Sequence, residues 1–362
     1  MDSFSRILYF SSLLVCMTLS ANETADTALF DAINTSDLEG VKEAFRNGAS
    51  TDAKDKNQWN PFAKALFRYG MSKVGKKINK NKVDANKAVV YEIYNHMETV
   101  NPDDFITAAS LGGLSDLVEK MINDGMSVDV RGTLGRTALM TLVHGYPDLD
   151  DVKFLVAKGA DVNAIDKRKS VLAGGKTIES NVLDYALSPG TSEALRAAIY
   201  LIDKGARVTP QHFVRAAGNH NFNLELVKKI DAKIRNVDAV DNSGLTALRK
   251  AIEFGGSSEG INYLLDKKAN VNAMVQGDPD SILFTAIFQY YYYNNIGLTI
   301  IEKILKNGAQ VDDMAMALAQ GDFPKLINLL GAEEGAVYVN YKQPDPVKKE
   351  QVLKLLQKYS QQ

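Results

Sequence analysis

The sequence predicts an all-α fold, a solenoid of about nine helix-turn-helix units, and three recurring features predict it. The first is a helix opening that begins at Thr27, Asn60, Asp103, Thr137, Asn181, Gln211, Thr246, Ser281 and Asp312. The successive spacings are 33, 43, 34, 44, 30, 35, 35 and 31 residues, and a period near 33 marks tandem helical modules that stack. The second is a small residue five positions into the opening: Ala32, Ala65, Ala108, Ala186, Ala216, Ala251, Ala286 and Ala317, with Leu142 in the remaining unit. Helix separation follows the side chains at the contact, so alanine permits close stacking. The third is a glycine stop after the second helix of a unit, at Gly48, Gly125, Gly159, Gly205 and Gly308. Glycine enters the left-handed conformation that closes a helix at little cost.

Between opening and stop, each unit carries an amphipathic stretch. Val152, Leu155 and Val156 are spaced three and four apart, which puts one face of a second helix into the core. One unit alone cannot bury that face, whereas a stack buries it collectively. The clearest unit reads Gly135-Arg136-Thr137-Ala138-Leu139 and closes on Gly159-Ala160-Asp161-Val162-Asn163-Ala164. Another reads Asp241-Asn242-Ser243-Gly244-Leu245-Thr246-Ala247-Leu248 and closes on Ala269-Asn270-Val271-Asn272-Ala273.

These residues resemble the ankyrin repeat, whose pattern is Gly-x-Thr-Pro-Leu-His-x-Ala, a second helix, then Gly-Ala-Asp-Val-Asn-Ala. The resemblance covers residues 25–335, within a solenoid read over 21–335. Other paired-helix repeats share a 34-residue period but lack this closure. The family's proline and histidine are mostly absent from the openings, and Lys268 stands where the seventh unit should have its glycine. The resemblance implies β-hairpin loops between units. It also implies a concave surface of hairpin tips and first helices that holds other proteins.

The ends and insertions depart from the repeat. Residues 1–20 read as a signal peptide: Arg6 precedes an apolar run from Ile7 to Met17, too short to span a bilayer comfortably, and Thr18-Leu19-Ser20-Ala21 supplies small residues for cleavage. The competing reading is a buried first helix. Cys16, the sole cysteine, faintly resembles a lipobox cysteine, although Val15 is bulky for that motif; lipid anchoring there is the minor alternative. The first insertion, near 69–86, holds Lys73, Lys76, Lys77, Lys80 and Lys82. Such a loop either docks an acidic partner or lipid surface or is a solvated excursion, and the lack of interleaved aromatics favours the latter. The second, near 166–180, is flexible and basic, either a specificity finger or a disordered loop. Residues 336–362 read as a C-terminal capping helix over the last repeat.

No chemistry emerges. The net charge of −2 gives no general pull toward nucleic acid or anionic lipid. His96, His144, His212 and His220 are scattered, so no metal set forms, and neither Gly-x-Ser-x-Gly nor His-Glu-x-x-His occurs. The expectation is therefore a non-catalytic, monomeric protein-binding scaffold without cofactor or metal, exported from a bacterial cell and secreted or periplasmic. It has no nucleic-acid partner and no membrane span once the signal is removed. The rival is a secreted effector or toxin-related factor with its activity in an insertion. The candidate protein-binding residues are the tip positions Trp59, Arg136, Asn242, Leu245 and Asp280, plus Tyr291 and Tyr292 from the run Tyr290–Tyr293. Trp59 is the only tryptophan, and at a tip it would serve as an anchor unless it folds back on the lysine-rich insertion. Tyrosine suits interfaces because it joins a large ring to a polar end.

Overall fold

The computed structural model describes residues 23–360, apart from 76, 146, 170–174, 176, 219–220 and 331–342. The expected signal peptide over 1–20, Cys16 and His220 lie outside the described residues. The chain divides into two compact units, Met1–Ile178 and Glu179–Gln362. Both are mostly helical.

The first unit contains α1 over 23–35, α2 (Leu38–Arg46), α3 (Pro61–Ser72), α4 (Lys80–Asn95), α5 (Pro102–Ser110), α6 (Ser115–Asn123), α7 (Ala138–His144) and α8 (Leu149–Ala157). Helices α3, α5 and α7 each pack against the helix that follows. They also pack in series, α3 on α5 and α5 on α7. The second unit repeats the scheme with α9 (Val182–Ala186), α10 (Ser192–Asp203), α11 (Pro210–Ala217), α12 (Leu224–Ile234), α13 (Ala247–Glu253) and α14 (Ser258–Asp266). It continues through α15 (Ile282–Phe288), α16 (Leu298–Lys306), α17 (Asp313–Gln320), α18 (Phe323–Leu330) and α19 (Pro346–Tyr359). Here α11, α13, α15 and α17 pack in series, each also on its following helix. All eight register alanines are buried, as is Leu142.

The openings are helix caps in six units. Asn60, Thr137, Asn181, Thr246, Ser281 and Asp312 each accept a hydrogen bond from the backbone N–H three residues on, which satisfies an orphan donor of the first turn. Three openings are corrected by the structure. Thr27 lies inside α1, its hydroxyl donating to the Glu23 carbonyl at 2.9 Å. Helices α5 and α11 start earlier than Asp103 and Gln211, capped at Asn101 and Thr209. Pro102 and Pro210 follow those caps, where a residue without an N–H costs nothing. The Thr-Pro-x-His spelling missing elsewhere thus occurs at Thr209–His212, two residues ahead of the alanine register.

The glycine stops form one closure. The N–H of Ala160 donates to the Leu155 carbonyl at 3.0 Å, and Ala49, Met126, Ala206, Ala269 and Ala309 repeat that bond on their own helices. This is the bond of a Schellman motif, which needs a left-handed residue just before the donor. Gly159 supplies it at φ +92°, and in the seventh unit Lys268 does so at φ +63°, where its Cβ makes the conformation costly.

The described residues of both insertions include regular elements. Near 69–86, the extra residues lengthen α3 and α4, leaving only 73–79 between them. Lys73 turns inward, donating to the carbonyls of Leu111 at 2.6 Å and Gly112 at 2.9 Å, at the end of α5. Burial pushes its ammonium below the usual lysine range. Near 166–180, β1 (Ile165–Lys169) and β2 (Thr177–Asn181) make a two-stranded sheet. Elsewhere among the described residues the expected β-hairpin loops are turns, with an isolated bridge between Val240 and Thr246. Helix α19 packs on α16 and α17, with Val352 and Leu356 buried.

Ala251 is fully buried on α13, which packs between α11 and α15. Ala251→Phe should therefore overpack the second unit and destabilise it by about 1–3 kcal/mol. Urea unfolding measures this, and an unchanged midpoint contradicts the register.

Candidate functional site

Three turns present the residues expected at the tips, and all three share one geometry. In the first, Asp55 N–H donates to the Trp59 carbonyl at 3.0 Å and Gln58 N–H to the Asp55 carbonyl at 2.8 Å. The same pair of bonds joins Gly132, Gly135 and Arg136, and again Asp241, Gly244 and Leu245. The fourth residue of each turn is left-handed: Gln58 at φ +65°, Gly135 at +74° and Gly244 at +78°. The fifth residue immediately precedes the helix cap, so Trp59, Arg136 and Leu245 occupy equivalent places.

A carboxylate holds two of these turns from within. One Asp55 oxygen accepts from the N–H groups of Asn57 at 2.8 Å and Trp59 at 3.0 Å, while the other pairs with Lys64 at 3.0 Å. Asp241 does the same for Ser243 and Leu245, with Lys250 at 3.7 Å. Burial raises the Asp55 carboxyl, but the Trp59 N–H, the Lys64 ammonium and the Asn57 N–H outweigh it and hold the group below the usual carboxylate range. The turn's polar groups are thus satisfied by the turn, and the tip side chain is not needed for closure. The aspartate-to-lysine spacing of nine is visible in the sequence at both turns, and it is the signal that a reading by helix openings overlooks.

Trp59 is half-buried. Its ring meets Phe67 of α3 edge-on, centroids 4.9 Å apart, and the Lys64 ammonium lies 5.5 Å from its centroid. It packs on its own helix, not on the lysine-rich insertion. An open groove of about 790 Å³ runs past it, lined by residues that include Lys54, Asn101, Asp103, Asp104 and Arg131. Asp104, at the floor, is buried and accepts from the amides of Asn60 at 2.9 Å and Asn101 at 2.5 Å. Burial pushes its carboxyl up despite those two donors. Asp103 accepts from Thr133 N–H at 3.0 Å, and Arg131 donates to the Gly135 carbonyl at 2.6 Å. These groove residues come from three separate turns.

The remaining candidates are dispersed. Arg136 is half-buried in the first unit; Asn242 is exposed and Leu245 half-buried in the second. Tyr290 to Tyr293 leave the α-helix for a π-helical turn, Gln289–Tyr293, closed by Asn294 at φ +55°. That geometry buries Tyr290 and Tyr291, leaves Tyr292 half-buried and exposes Tyr293. The Tyr291 hydroxyl donates to the Ala319 carbonyl at 3.3 Å, so this ring belongs to the core and the accessible one is Tyr293. Among the described residues, no group of three or more His, Cys, Asp or Glu could hold a metal ion, and no helix is long and apolar enough to cross a membrane.

The ankyrin repeat family model matches residues 134–167, the unit that contains the Arg136 turn. An ankyrin repeat protein of fowlpox virus (strain NVSL) is 30% identical over 73 residues, 20% of this chain and 17% of that protein. The chain thus spans a small part of the length of the curated relative it matches. Among solved structures, the human ASB11 ankyrin repeat domain aligns with a TM-score of 0.44 and 19% identity, over 57% of this chain and 85% of that one. Ankyrin repeats are generally protein-interaction scaffolds and typically not enzymes.

Asp280 differs from the other tips. Its N–H donates to Asp278 at 3.0 Å and its carbonyl accepts from buried Arg249, yet its Oδ1 is buried with no hydrogen-bond partner among the described residues. Burial, reinforced by Asp278, pushes its carboxyl up from 3.8 to about 6. A raised carboxyl favours the folded state when protonated. That contribution is complete below about pH 4 and is lost as pH rises toward 6. Asp280→Asn should therefore melt higher than the parent at pH 7, with the gap closing toward pH 4. A gap independent of pH refutes the assignment.

Proposed function

We propose that this ankyrin-repeat chain is a non-catalytic scaffold that binds another protein through its turn tips and acts after export. One observation carries the binding part: the Trp59 turn closes on its own backbone and carboxylate and sets the indole at the edge of an open groove. Tryptophan and arginine dominate the energetics of protein interfaces when a preformed pocket flanks them. Lys54 and Gln58 beside the ring supply a polar rim. A groove whose acidic floor is internally hydrogen-bonded suits gripping an extended segment better than acid–base chemistry, which needs a carboxyl within reach of a substrate proton.

Affinity capture from the source cell's envelope and medium tests this, using the full chain beside a Trp59→Ala/Arg136→Ala/Leu245→Ala variant. The parent should recover a specific protein, and the variant should recover roughly tenfold less with an unchanged circular dichroism spectrum. Equal recovery of the same protein by both discards the tip reading. Export rests on the apolar run Ile7–Met17 behind Arg6. A reporter active only outside the cytoplasm, fused after residue 21, should lose its activity when residues 7–17 are deleted; activity indifferent to that deletion sinks export.

A further inference from the structure

We propose that the end of the α3–α4 pair is an anionic-lipid-binding tip, whose lysines and whose Met71, Val74 and Ile78 do not line the Trp59 groove. Residues 71–83 contain five lysines and no acidic residue; the first carboxylate beyond them is Asp84. The structure sorts these lysines. Lys73 is committed inward to the Leu111 and Gly112 carbonyls, whereas Lys77, Lys80 and Lys82 are exposed, and no ion pair engages them among the described residues. Helix α4 begins at Lys80, so Lys80 and Lys82 sit on its first turn, where the helix dipole adds positive potential instead of offsetting theirs.

Charge alone would describe a solvated loop. What sets this tip apart is the apolar surface between the lysines. Met71 is 53% exposed, Val74 71% and Ile78 59%, and Phe67, one turn before Met71 on α3, is 44% exposed. Phe67 and Met71 fall at i and i+4 on the last turns of α3, and Val74 and Ile78 extend this apolar stripe into the 73–79 connection. Exposed apolar side chains interleaved along the chain with unpaired ammonium groups match the two layers of an anionic membrane surface. The apolar groups enter the acyl boundary while the lysines stay at headgroup level. An acidic protein would use the lysines but leave the stripe without a partner. The lipid surface uses both.

A local probe tests this. A polarity-sensitive fluorophore is attached at Val74→Cys in a full chain carrying Cys16→Ser. That chain is mixed with phosphatidylcholine vesicles, with or without phosphatidylglycerol. The label should shift to the blue on the phosphatidylglycerol vesicles only, and the shift should weaken as salt rises. Adding Lys77→Ala, Lys80→Ala and Lys82→Ala should raise the half-saturating lipid concentration about fivefold for each lysine, on the order of a hundredfold together. Because the label reports from residue 74, membrane binding by the apolar amino-terminal run does not mimic the result. A label silent on anionic vesicles, a response shared by pure phosphatidylcholine, or a response to soluble polyglutamate in place of vesicles overturns the proposal.

Discussion

The first helices of neighbouring repeats can approach only as closely as their contact residues permit, and that limit governs everything else in each unit. At Ala251 the contact residue is fully buried on α13, which packs between α11 and α15. With alanine at the contact, larger residues on either side, such as Leu248 and Ile252, are fully buried as well. Each cap residue then falls at the edge of the buried layer. The residue before the cap is the first one the core does not constrain.

That boundary explains how polar groups are divided. Turn carboxylates such as Asp55 and Asp241 are consumed by backbone N–H groups and a lysine of the following helix. Inter-repeat bonds follow the same economy, with Asp161 N–H donating to Asp129 at 3.1 Å and Asn270 N–H to Asp238 at 2.8 Å. On the second helices, Tyr94 donates to Asp124 and Tyr263 to Asp231, each with a lysine ammonium near its ring. Side chains adjoining the caps and at the ends of the second helices thus tie neighbouring units together. Asp280 breaks the pattern: it stands just before the cap, and one of its carboxylate oxygens is buried with no hydrogen-bond partner among the described residues.

The sequence already displayed the alanine register and the glycine closures, because both depend on a residue's own size or backbone freedom. The caps at Asn101 and Thr209 were hidden by the prolines after them, which let those helices begin early without disturbing the alanines. Helix α4 was hidden by composition: Lys80, Asn81 and Lys82 look like loop, yet Asn79 caps them and Val89, Val90 and Ile93 supply the buried face. Tyr291 could not be assigned from spacing, since a π-helical turn changes which ring points inward. The groove beside Trp59 was not legible at all, because its lining comes from turns about forty and thirty residues apart along the stack.

The lysines of the first insertion show why composition fails as a guide to surface function. Lys73 and Lys87 carry the same ammonium as Lys77, yet Lys73, at the end of α3, and Lys87, on α4, donate to carbonyls of the turn that follows α5. Those carbonyls lie past the last turn of the helix, with no partner inside it, and each ammonium supplies a donor to them. Lys77, Lys80 and Lys82 are exposed instead, and so are Val74 and Ile78. Lengthening a helix pair therefore has a paired consequence. The inner part of the extension is tied down by charge, while the outer part must expose whatever apolar residues it carries. Polar residues could fill those outer positions without affecting the inner bonds, so the apolar ones are not required by the stack.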